Sequence, residues 1–244
     1  MPQNQNTTRL NKFLSEHGVA SRRGADAIIS AGRVTVNGKR ATLGTQVGPD
    51  DDVRVDKRPI QHRELPVYLA YHKPVGVICT TDRSKRDNIL DAIDFPTRIF
   101  PIGRLDVASE GLILLTNDGD VVNKILRSKN RHEKEYEVAV DKPITNQFLQ
   151  RLRTGVPILN TVTKKCKVEK ISDYQFKIIL TQGLNRQIRR MCEACGYSVK
   201  KLRRVRIMHI TLKGLSINKW RELTGKEVDE LHRLLGRAEG ISRG

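Results

Sequence analysis

Pro101-Ile102-Gly103-Arg104-Leu105-Asp106 leads, a few residues on, into Gly111-Leu112-Ile113-Leu114-Leu115-Thr116 and then Asn117-Asp118-Gly119. The middle segment is apolar almost throughout. At that length it predicts a buried strand rather than a helix. The Asp118-Gly119 pair predicts a turn at its end. Ahead of the strand, Gly103 marks a loop, and that loop carries the Asp106 carboxylate to the mouth of the buried element.

Working outward toward the C-terminus, Val122, Ile125 and Leu126 mark a helix, and Tyr136, Val138 and Val140 alternate as a strand. Phe148, Leu149 and Leu152 mark another helix, and residues 168–171 and 176–180 read as a hairpin. Ile188, Met191, Cys192 and Cys195 share a helical face that Gly196 closes, and residues 205–212 are strand-like. Thr224 and Glu227 form a capping box for a last helix carrying Val228, Leu231 and Leu235. Toward the N-terminus, residues 88–93 read as a short helix, and residues 67–71 and 77–81 as strands around the Lys73-Pro74-Val75-Gly76 turn.

The first 65 residues have a different texture. Leu10, Phe13, Leu14 and His17 fall on one helical face, stopped by Gly18. Ser21 is an N-cap for a second helix with Ala25, Ile28 and Ile29 inward and Gly32 as its stop. Val34 and Val36 alternate into Asn37-Gly38, a strong hairpin signal, and Pro49 with three aspartates turns the chain into Val53 and Val55. Residues 57–66 are polar, hold two prolines and read as a linker. Strands and helices mix without a regular β-α-β beat, so the expected class is α+β, with a largely antiparallel sheet. The expected boundaries are a small module over 7–65, a larger domain over 66–235 and a short tail over 236–244.

Composition narrows the function. The 244 residues hold 45 Lys and Arg against 27 Asp and Glu, a formal charge of +18. Residues 183–213 concentrate it, with nine Lys and Arg against Glu193 alone, interleaved with apolar residues that require the segment to be folded. An excess this large points to a polyanionic partner, nucleic acid before a membrane surface. No apolar run approaches the roughly 20 residues of a bilayer span, and residues 1–8 lack the apolar core of a secretory signal. Four cysteines make no disulfide framework, so a reducing cytoplasm is expected. There is no Gly-x-x-x-x-Gly-Lys loop and no Gly-x-Gly-x-x-Gly after a strand, which disfavours a nucleotide cofactor. Cys192 and Cys195 make a single Cys-x-x-Cys better explained by helix packing, and the histidines are scattered, so no metal is expected.

Three segments carry candidate chemistry. They are the Asp106 loop, Lys134-Glu135-Tyr136 at a strand start, and the glycine turn Gly183-Leu184-Asn185 into the cationic helix start Arg186-Gln187-Ile188-Arg189-Arg190. Each has a bland reading: a turn carboxylate, a half-buried strand aromatic, solvated arginines. A joint reading is an enzyme that works on an extruded RNA base. Asp106 would then be the reactive group and Tyr136 the stacking surface, with an arginine facing Asp106 to pair with it as nucleophile or base.

The ordered set Lys73-Pro74-x-Gly76, Gly103-Arg104-Leu105-Asp106, Thr116-Asn117-Asp118-Gly119, Lys134-x-Tyr136 and Gly183-x-Asn185-x-Gln187-Ile188-Arg189-Arg190-Met191 resembles the RsuA-type family of ribosomal RNA pseudouridine synthases. The N-terminal unit, with Arg9-Leu10, Ser21-Arg22-Arg23, Asp26 and Asn37-Gly38, resembles the alpha-L (S4-like) RNA-binding module that precedes such catalytic domains. Phe100-Pro101-Ile102-Gly103, Asn123-Lys124-Ile125-Leu126 and Gly155-Val156-Pro157-Ile158 are most like the RluF type, which acts on the large subunit. The resemblance implies that Asp106 is the catalytic aspartate, that Tyr136 stacks on the target uracil, that Arg189 pairs with Asp106, and that Arg104 helps position the flipped nucleotide. It also implies RNA contacts at Arg9, Arg22, Arg23, Lys39, Arg186 and Arg190, ribosomal RNA as partner, a monomer, and no cofactor. The competing reading is a non-catalytic RNA-binding assembly factor, which has no need of the Asp106, Tyr136 and Arg189 set.

Overall fold

The computed structural model describes residues 7–60, 65–82, 84–127 and 132–236. The chain divides into two compact units, Met1–Pro66 and Val67–Gly244.

In the first unit the elements are β1 (Thr8–Arg9), α1 (Leu10–Glu16), α2 (Arg22–Ser30), β2 (Val34–Val36), β3 (Lys39–Arg40), β4 (Gln46–Val47), β5 (Val53–Val55) and β6 (Arg58–Pro59). Its core is small. Leu10 and Leu14 from α1 meet Ala25 and Ile29 from α2, over Val34, Ala41, Val47 and Val53. The Ser21 hydroxyl accepts from the Gly24 amide at 3.0 Å, the expected N-cap of α2. Asn37 and Gly38 both sit at positive φ (51° and 76°), the geometry that Asn-Gly favours in a two-residue hairpin. The polar stretch read as a linker is partly a strand, since Arg58 and Pro59 pair with Val55 and Arg54. Residues 61–64 of that stretch, and residues 237–244 of the expected tail, lie outside the described residues.

The second unit runs β7 (Tyr68–Lys73), α3 (Ile89–Ile93), β8 (Phe100–Pro101), β9 (Glu110–Thr116), α4 (Gly119–Leu126), β10 (Lys134–Val140), α5 (Asn146–Thr154), β11 (Pro157–Ile158), β12 (Thr161–Val162), β13 (Lys167–Lys170), β14 (Gln175–Leu180), α6 (Gln187–Ala194), β15 (Val199–Ile207), β16 (Ile210–Thr211), β17 (Trp220–Glu222) and α7 (Gly225–Leu234). The main sheet has the order β13-β14-β10-β15-β9-β7-β17. Its neighbours are antiparallel except β15 and β9, which run parallel through Arg203–Glu110 and Arg204–Gly111. The α+β class with a largely antiparallel sheet therefore holds.

Strands β7 and β9 are covered on both faces, which is why the run after Glu110 is apolar at every step. Leu112, Leu114 and Ala70 pack with Val121 and Ile125 of α4 and Leu231 of α7. Ile113, Leu115, Leu69 and Tyr71 face Ile89 and Ile93 of α3 on the other side. A separate cluster joins α5 and α6 to β10, β13 and β14 through Phe148, Leu152, Met191, Phe176 and Ile178. Tyr136 packs against both this cluster and the α3 cluster, so it stands at the seam between the two halves of the sheet.

Three expectations change. Residues 77–81 form no strand beyond a lone bridge between Ile78 and Asn88. β9 and β17 pair with β7 on its two edges, leaving no free edge for a hairpin partner after the Lys73 turn. The strand expected over 205–212 begins at Val199 and folds back at Met208 (φ 53°) into β16, because its basic side chains mask the alternation of buried Leu202 and Arg204. Finally, Asp118-Gly119 is a helix start rather than a free turn. The Asp118 carboxylate accepts from the Asp120 and Val121 amides at 3.1 and 3.4 Å and caps α4.

Candidate active site

The parallel pairing of β9 and β15 brings the loop ahead of β9 beside the start of α6. Asp106 is half-buried in that loop. Its Oδ2 lies 3.8 Å from Arg189 Nε, an ion pair without a shared hydrogen bond. Arg189 is held by other bonds: Nη2 donates to the Ala108 carbonyl at 2.9 Å and to Ser109 Oγ at 3.2 Å, and Nη1 to the Val199 carbonyl at 3.3 Å. The arginine therefore ties the Asp106 loop to the head of β15 while facing the carboxylate with its charge. Burial first, then the charge of Arg186, lowers the Arg189 pKa, against the opposing pull of Asp106.

The loop is braced from below. Lys73 is fully buried, and its ammonium donates to the carbonyls of Pro74 and Val77 at 2.7 and 2.8 Å. The turn so fixed meets the Asp106 loop, with the Gly76 amide donating to the Val107 carbonyl at 2.9 Å. The Leu105 amide donates to Cys79 Sγ at 3.4 Å. Gly103, at φ 82°, supplies the left-handed residue the loop needs.

Around Asp106 opens a cleft of about 690 Å³. Arg104, Tyr136, Lys134, Arg186 and Arg204 line it with Asp106, and the 180–188 segment forms its far wall. Lys134 is pressed into this cationic setting: burial first, then the charge of Arg204, pushes its pKa down to about 8. Arg186, at φ 49°, is the N-cap residue of α6 and keeps an exposed side chain. Arg190 is turned back, with Nε and Nη2 donating to the Asn185 carbonyl and Oδ1 at 3.1 and 3.2 Å.

The sequence candidates thus separate. Asp106, Arg104, Tyr136 and Arg186 share the cleft, and Arg189 reaches Asp106 from α6. Arg9, Arg22, Arg23 and Lys39 are all exposed in the first unit. Cys192 is fully buried in the α6 core, its thiol pushed up to about 12 by burial and then by Cys195. Among the described residues no group of three or more His, Cys, Asp or Glu is placed to hold a metal ion. Arg204 is a cleft residue outside the sequence candidates, and Lys134 entered them only within the Lys134-x-Tyr136 motif, with no role assigned. Arg204 was hidden in a run of cations, where only strand alternation with Leu202 marks it as inward-facing.

A carboxylate faced by a fixed arginine, an aromatic ring in the same cleft and a cationic lining are what an enzyme acting on an extruded RNA base requires. The chain's second unit matches the profile described as RNA pseudouridylate synthase over residues 67–194, and its first unit matches the S4 domain profile over residues 8–61. The chain belongs to the RNA pseudouridylate synthase family. It is 56% identical over 231 residues to the dual-specificity RNA pseudouridine synthase RluF of Escherichia coli (strain K12), covering 94% of this chain and 80% of that protein. It is 39% identical over 235 residues to the ribosomal large subunit pseudouridine synthase B of Bacillus subtilis (strain 168), covering 93% and 96% of the two chains. A solved structure described as a pseudouridylate synthase superposes with a TM-score of 0.68 at 29% identity, over 91% of this chain and 99% of that one. The resemblance to the RsuA-type synthases and to RluF holds, as do the S4 and catalytic domains it implied.

Proposed function

We propose that this protein isomerises a specific uridine of ribosomal RNA, in the large subunit, to pseudouridine. The observation that carries the reading is the Asp106–Arg189 pair in one cleft with Tyr136. The rearrangement breaks the N1–C1′ bond of uridine and forms C5–C1′, with no change of oxidation state, so no redox cofactor is called for. A uridine cannot present C1′ and both ring edges while stacked in a helix, so the target must be extruded. Tyr136 supplies a flat face for the extruded base, Arg104 helps position the flipped nucleotide, Arg186 adds an RNA contact, and Asp106 is the group that engages the nucleotide. Arg189 fixes the Asp106 loop and faces the carboxylate with a positive charge. The names of the relatives, one of them a large-subunit synthase, support ribosomal RNA as the substrate.

The first unit supports RNA engagement on its own terms. Arg22 and Arg23 occupy the first turn of α2, which holds no acidic residue, against the preference of a helix N-terminus for negative charge. Cations kept there suit a polyanion that approaches from outside. Arg9, Lys39, Arg186 and Arg190 belong to the same proposed set of RNA contacts. We further infer a monomer that works in the cytoplasm. Among the described residues no helix is long and apolar enough to cross a membrane.

The test is to map pseudouridine in ribosomal RNA from cells with the protein, without it, and with Asp106→Asn in its place. The expected result is one missing large-subunit site in the last two. A complete modification pattern in the deletion strain would refute the assignment, and a site restored by Asp106→Asn would mark the protein as a binder whose carboxylate does no chemistry.

A further inference from the structure

Behind the ring of Tyr136 lies a buried cation that neither the Asp106–Arg189 pair nor the loop bracing uses. Arg204 is 3% exposed and sits opposite Tyr136 in the β10–β15 pairing. Its guanidinium carbon lies 6.0 Å from the Tyr136 ring centroid, and the residue lines the cleft. One bond anchors it, from Nε to the Leu112 carbonyl at 2.6 Å. Its Nη2 is buried with no hydrogen-bond partner. None of the ion pairs among the described residues includes Arg204, and its charge helps lower the pKa of another cleft cation, Lys134.

A buried guanidinium with no carboxylate beside it and an idle donor is a poor structural clamp, since burial of charge is costly unless the charge is matched. The fold nevertheless fixes it firmly. Gly111, its parallel partner on β9, sits at φ 122°, and a Cβ there would collide with the Arg204 backbone. Unmatched positive charge held rigidly in a cleft is what stabilises negative charge that exists only part-way through a reaction.

Given the proposed isomerisation, on which this inference rests, that charge has a definite location. When N1–C1′ breaks, the bonding pair stays on N1, so the detached uracil is an anion with its charge spread over N1, O2 and O4, and C1′ is left electron-deficient, faced by the Asp106 carboxylate. The ring turns, C5 bonds to C1′ with an electron pair of the anion, the C5 proton leaves to a base, and N1 takes up a proton, which returns the base to neutrality. We propose that Arg204 is the fixed positive charge that stabilises the uracil anion while it is detached on the Tyr136 face. In the resting protein its charge is matched by no ion pair among the described residues, and the detached anion would supply the counter-charge.

The experiment uses the full-length protein and a ribosomal RNA fragment carrying the mapped target, with wild type and Asp106→Asn run alongside. Single-turnover rates, RNA affinity and the urea unfolding midpoint are measured for Arg204→Met and Arg204→Lys. The expected loss for Arg204→Met is about 100-fold in rate, the scale of removing one preorganised charge-stabilising donor, with RNA affinity changed by no more than about threefold. Arg204→Lys should recover at least about tenfold of it, because it restores the charge if not the fork. The same comparison is made on RNA with 5-fluorouridine at the target, following loss of that nucleoside. Fluorine withdraws electrons and steadies the uracil anion unaided, so the penalty of either substitution should shrink at least about threefold. A penalty equal on both RNAs, or a Lys variant no faster than Met, overturns the proposal and leaves Arg204 as packing beneath Tyr136. Should Arg204→Met not fold, the Lys variant on the two RNAs decides alone. A wild-type protein that isomerises no ribosomal uridine overturns the functional reading itself, an outcome distinct from active wild type with indifferent Arg204 variants.

Discussion

Arg189 Nε stands 3.8 Å from Asp106 Oδ2, while the same guanidinium bonds Ala108, Ser109 and Val199. The arginine is a strap first and a counter-charge second. Its charge acts across a gap too long for a hydrogen bond, and its donors hold the loop that sets the gap. Charge alone would make lysine a good replacement. A lysine ammonium, however, cannot span three acceptors on a loop and a strand. The expected order of single-turnover rates is therefore wild type, then Arg189→Lys lower by about tenfold, then Arg189→Met lower by about 30-fold or more. The last figure corresponds to ~2 kcal/mol, below the cost of breaking a buried pair because Asp106 is half-exposed. Equal rates in all three proteins would remove Arg189 from the mechanism.

The close approach of β9 to β15 makes a second prediction, about stability. Gly111 sits at φ 122°, and an added Cβ would lie 2.5 Å from the Arg204 amide nitrogen. Gly214, at φ 74°, has nothing within 4 Å of the same added atom. Gly111→Ala should cost at least ~3 kcal/mol, since strain and collision add, whereas Gly214→Ala should cost ~1 kcal/mol from strain alone. Urea unfolding of the two variants checks it, and equal midpoints would show that the parallel pairing can part without penalty.

Much of this was legible in the sequence, for reasons that can be named. The apolar run after Glu110, the Asn37-Gly38 hairpin, the Ser21 cap and the Thr224–Glu227 capping box are local signals, and each element formed where its own residues placed it. Residues 77–81 were misleading because strand character is also a question of which edge is free, and β17, 140 residues further along the sequence, holds that edge. Arg204 was missed because an inward-facing cation breaks the alternation that would announce its strand. Asp106, Tyr136 and Arg189 were recoverable as a motif set, but their distances depend on the β9–β15 pairing, which no local pattern encodes.

Lys134 predicts a pH dependence of stability. Burial and the charge of Arg204 push its pKa from 10.5 down to about 8 in the folded protein. Between those values the unfolded chain holds a proton that the folded chain lacks, so stability rises with pH across that window. Below pH 8 the full cost of the buried ammonium is present, at most ~3.4 kcal/mol for a shift of this size. Lys134→Met should therefore be more stable than wild type at pH 7, with the advantage fading as the pH approaches 10. Urea midpoints at both pH values test it, and an advantage that does not change with pH would mean Lys134 titrates as an ordinary lysine.

Salt dependence tests the first unit within the intact chain. Replacing both Arg22 and Arg23 by glutamine removes two cations exposed at the start of α2. If both contact phosphate, the slope of log affinity against log salt should flatten by about 1.5, at roughly 0.7 to 0.9 per contact. The same variant should retain the wild-type single-turnover rate at saturating enzyme, since neither residue belongs to the cleft. An unchanged slope would place the RNA path away from α2.

The last prediction concerns what Tyr136 contributes. Its ring packs against two core clusters and has Arg204 behind it, whereas its hydroxyl makes no hydrogen bond among the described residues. A side chain built to present a face should tolerate loss of the hydroxyl and not loss of the ring. Tyr136→Phe should keep the single-turnover rate within about threefold of wild type, while Tyr136→Leu should lose roughly 5- to 150-fold, the span that corresponds to 1–3 kcal/mol of base stacking. A Phe variant as slow as the Leu variant would mean that the hydroxyl moves a proton in the reaction, and the tyrosine would then be an acid or base rather than a platform.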